Sequence, residues 1–304
     1  MLSALPSTRK TWDGGSYMGR QPLGEVFGTP IDAVDEQTLQ IRSKKLCPFA
    51  GPGRRCNKDK AENPLGVCSV NHAGQANPTI TCPTRFLESG IVAKDAAEFF
   101  FGPNASWSFV PEVKLKDVNG KAAGNIDLVI YQKSKAGDIV DFGSVEIQAV
   151  YISGNVREPF DHFMKLPPGT DHFDWSNSPL YPRPDFLSSS RKRLIPQLMY
   201  KGGILKSWGK KQAVVLDKAF LSSLPTLQTV RSSDADLVWL VYDLVRTESI
   251  GPYKLTLVEK IYTDFNTTMS SLSSTQAGTV ESFVIDLHRK ISQAVGQEGN
   301  HEQE

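Results

Sequence analysis

The chain has 304 residues, 39% hydrophobic and 22% charged, with a formal net charge of +1. That is enough for one large domain or two small ones with an ample core. It excludes a globally basic nucleic-acid coat, though not a local basic cleft, and no stretch has the apolar length of a bilayer span.

The N-terminal MLSALPSTRKTWDGG lacks a charged segment followed by a long apolar one, so no secretory signal is expected and a cytoplasmic location follows. In that compartment four cysteines suit a metal better than disulfides. Residues 1–42 are punctuated by Gly and Pro until IDAVDEQTLQIRSKK, which predicts a short polar helix. Residues 47–82 hold every cysteine and show no sustained period, which predicts a loop region with no core of its own. CPTRFLESGIVAKDAAEFFFG predicts a helix opened at Pro83 and stopped at Gly102. SFVPEVKLKDVNGKAAGNIDLVIYQ predicts two antiparallel strands around Asn119-Gly120, with SVEIQAVYIS as their third neighbour.

Residues 154–190 are rich in Pro, His, Ser and aromatics and predict a long loop. RKRLIPQLMYKGGILKSW predicts a helix disturbed by Pro196 and Gly202-Gly203. QAVVLD, DLVWLVYDLV and YKLTLVEKIY supply three more strands. Finally TVESFVIDLHRKISQAV sets Val280, Phe283, Val284, Leu287, Ile291 and Val295 on one helical face. The order predicts an α/β fold with a mixed central β-sheet flanked by helices. It divides into an N-terminal arm (1–42), a loop-rich four-cysteine region (43–86) and a core (87–304), together one compact domain.

Chemistry concentrates in two places. In SVEIQAVY, Ser144, Glu146, Gln148 and Val150 share one strand face. A carboxylate and an amide there need partners, since burying them unpaired costs several kcal/mol. Asp127, in the neighbouring NIDLVIY, supplies a second carboxylate, and such a pair beside a phosphate oxygen meets the all-oxygen shell of Mg²⁺. Glu112, in FVPEVKL, adds a third acid if the hairpin register allows. The bland alternative is a satisfied polar network inside the sheet. Elsewhere Cys47, Cys56, Cys68 and Cys82 form a C-x8-C-x11-C-x13-C series suited to a tetrahedral Zn²⁺ or iron site. His72 lies inside that series and could replace a ligand.

An Asp followed about twenty residues later by Glu-x-Lys is the signature of the PD-(D/E)XK nucleases. Here Gln148 stands at the Lys position and Ile126 precedes Asp127. Together with CPFAGPGRRC, GVCSV, TCPTRF and RKRLIPQLMYKGGILKSWGKK, this resembles the NotI-like type II restriction endonucleases over about residues 40–260. The resemblance implies a homodimeric bacterial enzyme, part of a restriction-modification system, that cuts palindromic GC-rich double-stranded DNA. It implies Mg²⁺ on Asp127 and Glu146, with Gln148 and Glu112 as accessory catalytic residues, and a structural iron on the four cysteines. No organic cofactor is implied.

Reading G·C pairs favours Arg or Lys against guanine. The basic candidates are Arg42, Lys44, Lys45, Arg54 and Arg55 around the cysteines, and Arg157, Arg183, Arg191, Lys192 and Arg193 after the catalytic strand. SSSRKRL also looks like a helix start, where backbone N–H groups bind phosphate. His162 and His172 have no accompanying nucleophile motif and read as loop residues. Two rivals share these features: a non-catalytic four-cysteine DNA-binding regulator, and a structure-specific repair nuclease of the same fold.

Overall fold

The computed structural model describes residues 21–170, 173–246, 248, 251–274 and 278–298. They belong to two units, Met1–Leu272 and Ser273–Glu304. His172 and residues 1–20 of the N-terminal arm fall outside the described residues.

The first unit opens with a small antiparallel sheet of β1 (Leu23–Val26), β2 (Thr29–Pro30), β3 (Val67–Val70) and β4 (Thr79–Ile80), in the order β2-β1-β3-β4. Between β2 and β3 lies α1 (Glu36–Ser43), the predicted polar helix, capped by Asp35, which accepts from Thr38 N at 2.9 Å. The cysteine region holds two short strands rather than loop alone, and as expected it has no core of its own. Leu23, Val26, Phe27, Val67, Val70 and Phe160 close a small core around it. Strands of two to four residues are too short to show a period, and their partner β1 lies some forty residues upstream.

A 3₁₀ stretch from Pro83, broken at Glu88 and Ser89, leads into α2 (Ile91–Phe101), which Gly102 terminates as predicted. The predicted hairpin follows as β5 (Ser108–Lys116) and β6 (Ala122–Lys133), then β7 (Ile139–Gln148). After β8 (Tyr151–Ser153), the stretch expected as one long loop contains α3 (Arg157–Lys165) and β9 (Arg183–Asp185). A helix here called α4 (186–207) comes next, with π-helical turns at Ser190–Leu194 and Leu198–Gly202. β10 (Gln212–Asp217), α5 (Lys218–Leu221), β11 (Leu237–Val245), β12 (Lys254–Thr263) and α6 (Phe265–Ser273) complete the order.

Six of these strands make one mixed sheet in the order β12-β11-β10-β7-β6-β5, parallel for β7, β10 and β11 and antiparallel at both flanks. The parallel strands are buried on both faces, which is why QAVVLD and LVWLVYDLV read as unbroken apolar runs. On one face α2 packs Val92, Ala96 and Phe100 against Val145, Val215 and Leu240. On the other, Leu194 and Leu198 of α4 cover Val214, Leu216 and Trp239. Strand alternation puts Glu146 and Gln148 on this second face, beneath α4.

In the second unit, α7 (Val280–Glu298) leaves Phe283, Leu287 and Ile291 at 68%, 46% and 51% exposure, the apolar stripe read in the sequence. Among the described residues no helix is long and apolar enough to cross a membrane.

Candidate active site

Register decides which acids meet. The pairs Pro111↔Leu128 and Val113↔Ile126 bracket Glu112 and Asp127, so these two lie opposite each other. On the other side, Leu128↔Val145 and Val129↔Ser144, extended by one residue, set Asp127 beside Glu146. Three acids thus form one row across β5, β6 and β7, on strands about 4.8 Å apart. Glu112 is exposed and sits at φ +52°, a left-handed strain of the kind concentrated at functional sites. Asp127 is half-buried and its Oδ2 accepts from Ile147 N at 2.7 Å. Glu146 is only 4% exposed.

Charge in this row is poorly compensated. Burial and then the Asp127 carboxylate push Glu146 up to about 8, against the pull of Lys201. Burial likewise raises Asp127, while the Ile147 N–H and the Lys201 charge oppose it. One Glu146 oxygen, Oε2, pairs with Lys201 Nζ. The other, Oε1, is buried with no hydrogen-bond partner. An orphaned carboxylate oxygen beside a second carboxylate fits a divalent cation with oxygen ligands. The edge of this site is open: Gly124 and Asn125, just before Asp127, are exposed.

Two residues of α4 complete the site, and neither was singled out in the sequence. Gln197 Oε1 accepts from Gln148 Nε2 at 2.9 Å, and Lys201, one turn later, pairs with Glu146. A four-residue step along a helix rises about 6 Å, close to a two-residue step along a strand. The matching pairs Gln197/Lys201 and Gln148/Glu146 carry that signal, but it becomes visible only once α4 is known to cross β7.

The four cysteines are free thiols contributed by four separate segments. All four line one cavity of about 10 Å³ together with Phe27, Lys58 and Val67. Burial pushes the thiols of Cys47 and Cys56 up and that of Cys68 well up, and Cys82 raises all three further. Even so, the described residues include no group of three or more His, Cys, Asp or Glu arranged to hold a metal ion. His72 does not line the cavity and instead meets the Phe186 ring edge-on, centroids 6.1 Å apart.

The basic candidates separate by burial. Arg42 is corrected: at 7% exposure it donates to Thr29 Oγ1, Ala33 O and Pro30 O and stacks over Phe163, so its guanidinium is spent inside the fold. Arg157 donates to Asp59 at 2.6 Å and Asn63 O at 3.3 Å, tying α3 to the cysteine region. Arg193 lies over the Tyr151 ring at 4.1 Å. Lys44, Arg54, Arg55, Arg183, Arg191, Lys192 and Arg193 are exposed, and Lys45 is half-buried. The RKR segment is no helix start either. α4 begins at Phe186, capped by Asp185, and residues 190–194 are already helical, with Ile195 N–H bonded to Ser190 O. His162 belongs to α3 rather than to a loop, against Phe173 and Trp175. These aromatics line a cleft of about 570 Å³ that contains none of Glu112, Asp127 and Glu146.

No curated protein matches the chain. The profile of a known family, restriction endonuclease NotI, matches residues 26–255, a span that includes the acid row and all four cysteines.

Proposed function

The chain belongs to the restriction endonuclease NotI family, and we propose that it is a Mg²⁺-dependent type II enzyme of the PD-(D/E)XK fold. It would cut both strands of a palindromic, GC-rich, GGCCG-containing site, as a homodimer in the bacterial cytoplasm. The observation that carries the reading is the meeting of Asp127 and Glu146 at an open sheet edge with Glu146 Oε1 unpartnered.

Asp127 and Glu146 would hold Mg²⁺, which when bound polarises the scissile phosphate and lowers the pKa of a bound water. Gln148, fixed by Gln197, is placed beside Glu146 to orient that water. Glu112 adds negative charge on the solvent side of Asp127. Four thiols from four segments around one cavity support a structural iron on Cys47, Cys56, Cys68 and Cys82, with zinc as the alternative. The apolar stripe of α7 supports self-association, and a palindrome needs two-fold symmetry. The exposed Lys44, Arg54, Arg55, Arg183, Arg191, Lys192 and Arg193 remain the proposed DNA contacts.

Plasmid incubated with protein and Mg²⁺ tests the reading in one gel. Discrete fragments are expected, and Asp127→Ala should lower the rate by at least about 10³-fold with the melting temperature nearly unchanged. Smearing would favour a repair nuclease, binding without cutting would favour a regulator, and cutting by Asp127→Ala would remove the assignment.

A further inference from the structure

The Glu-x-Gln strand offers no ammonium group, yet one is present in the site. Lys201 is 5% exposed, and its Nζ pairs with Glu146 Oε2 and donates to Asn125 O at 2.8 Å. It therefore bridges the two strands that carry Asp127 and Glu146. Lysines are almost never buried to this extent without a dedicated partner.

The surroundings are shaped for its passage. The aliphatic stem runs over Gly124, at φ +114°, where an added Cβ would come within 3.4 Å of Lys201 Cδ. Any side chain there would be strained by that backbone conformation. The helix that delivers Lys201 is π-helical over Leu198–Gly202, a distortion that recurs at functional sites. Gln212 Nε2 then clamps the distorted turn through Gly202 O at 3.0 Å.

Resting on the nuclease reading above, we infer that Lys201 replaces the missing lysine of the motif, delivered from across the sheet by α4. It is a positioning residue: it aims Glu146 by one oxygen and leaves the other for the cation. A purely structural ion pair would satisfy the acid it was built for. Here Oε1 stays unpaired, and Asp127 brings a second carboxyl group to the same place, so the site offers more carboxyl oxygens than one ammonium group satisfies. One lysine and two carboxylates suit a divalent ion far better than they suit a closed core.

Lys201→Met and Lys201→Gln, in the full chain, test this by single-turnover plasmid cleavage across a Mg²⁺ titration. DNA binding is measured in Ca²⁺, and thermal melting alongside. The expected result is a plateau rate about 10²- to 10³-fold lower, with DNA affinity unchanged and half-saturating Mg²⁺ no higher, since a neighbouring positive charge has gone. Lys201→Arg should recover part of the rate. Lys201→Gln keeps a neutral donor for Asn125 O should the Met variant fail to fold. A plateau at the wild-type rate overturns the inference. So does a loss of DNA binding in step with melting temperature, or failure of both variants to fold, since each marks Lys201 as structural. Asp127→Ala separates the two claims. If that variant still cuts, the nuclease assignment itself falls; if it is dead while Lys201→Gln cuts normally, only the role of Lys201 does.

Discussion

The acid row and the thiol cavity are both polar clusters at the margin of a sheet, and they are built in opposite ways. Glu112, Asp127 and Glu146 come from three adjacent strands, so backbone register alone brings them together. The four cysteines come from segments spread over thirty-six residues, with only Cys68 in a strand. The acids bring more carboxyl oxygens to an open edge than Lys201 satisfies. Around the thiol cavity of about 10 Å³, burial instead pushes Cys47, Cys56 and Cys68 up. If both clusters hold ions, the one fixed by register is shaped before its ion arrives, whereas the one made of loops needs its ion to become fixed.

The largest test of that contrast is metal removal. If a metal organises the thiols, Cys68→Ser or a strong chelator should unfold the small sheet and lower the melting temperature by more than about 10 °C, since structural metal sites contribute folding energy outright. Asp127→Ala should do nothing comparable. Metal analysis and melting of both variants make the measurement. A Cys68→Ser protein that melts like the wild type would erase the distinction between the two regions.

Arg85 gives a smaller effect and sharpens the same comparison, because it joins the cysteine region to the large sheet without a metal. Its guanidinium, fully buried, pairs with Glu25 of β1 at 3.1 Å and with Glu88 at 2.8 Å, donates to Tyr253 O and lies 4.2 Å over Phe49. Arg85→Met leaves Glu25 buried without its cation, which should cost about 3–5 kcal/mol in urea unfolding. Adding Glu25→Gln should recover part of that loss. If the single variant destabilises more than Cys68→Ser does, the ion pair rather than the thiols anchors the small sheet.

What the sequence shows of all this follows the range of its signals. The β5–β6 hairpin, β10 to β12 and the stripe of α7 are written in local period and turn residues, and all lie where that pattern places them. β3 and β4 are too short to carry a period, and α3 hides in a stretch dense in Pro and aromatics. Asp127 and Glu146 stand out because acids interrupt apolar runs. Glu112 needs the register, and Lys201 needs the crossing of α4 over β7, neither of which is local. Arg42 shows the reverse limit: composition reveals a charge but not that the fold has already spent it.

The smallest effect lies at the junction of the two regions. Asp217, at the end of β10, accepts from Ile80 N of β4 at 3.2 Å and caps α5 through Ala219 N at 2.8 Å. Burial pushes its carboxyl up from 3.8 to about 7, the backbone N–H groups opposing only in part. An acid whose folded value exceeds its unfolded value binds more protons folded than unfolded. Its contribution is therefore complete below about pH 4, falls as pH climbs, and is lost above about pH 7. At about 1.4 kcal/mol per unit, some 3 kcal/mol of stability should drain away between about pH 5 and pH 8. Glu146, pushed to about 8, bends the metal-free protein in the same direction. The informative measurement is thus the difference between wild type and Asp217→Asn, which keeps one acceptor for the junction and cannot ionise. Urea midpoints at the two pH values should fall less for the variant. Equal slopes would mean that Asp217 ionises freely at the seam, and that water reaches between the small sheet and β10.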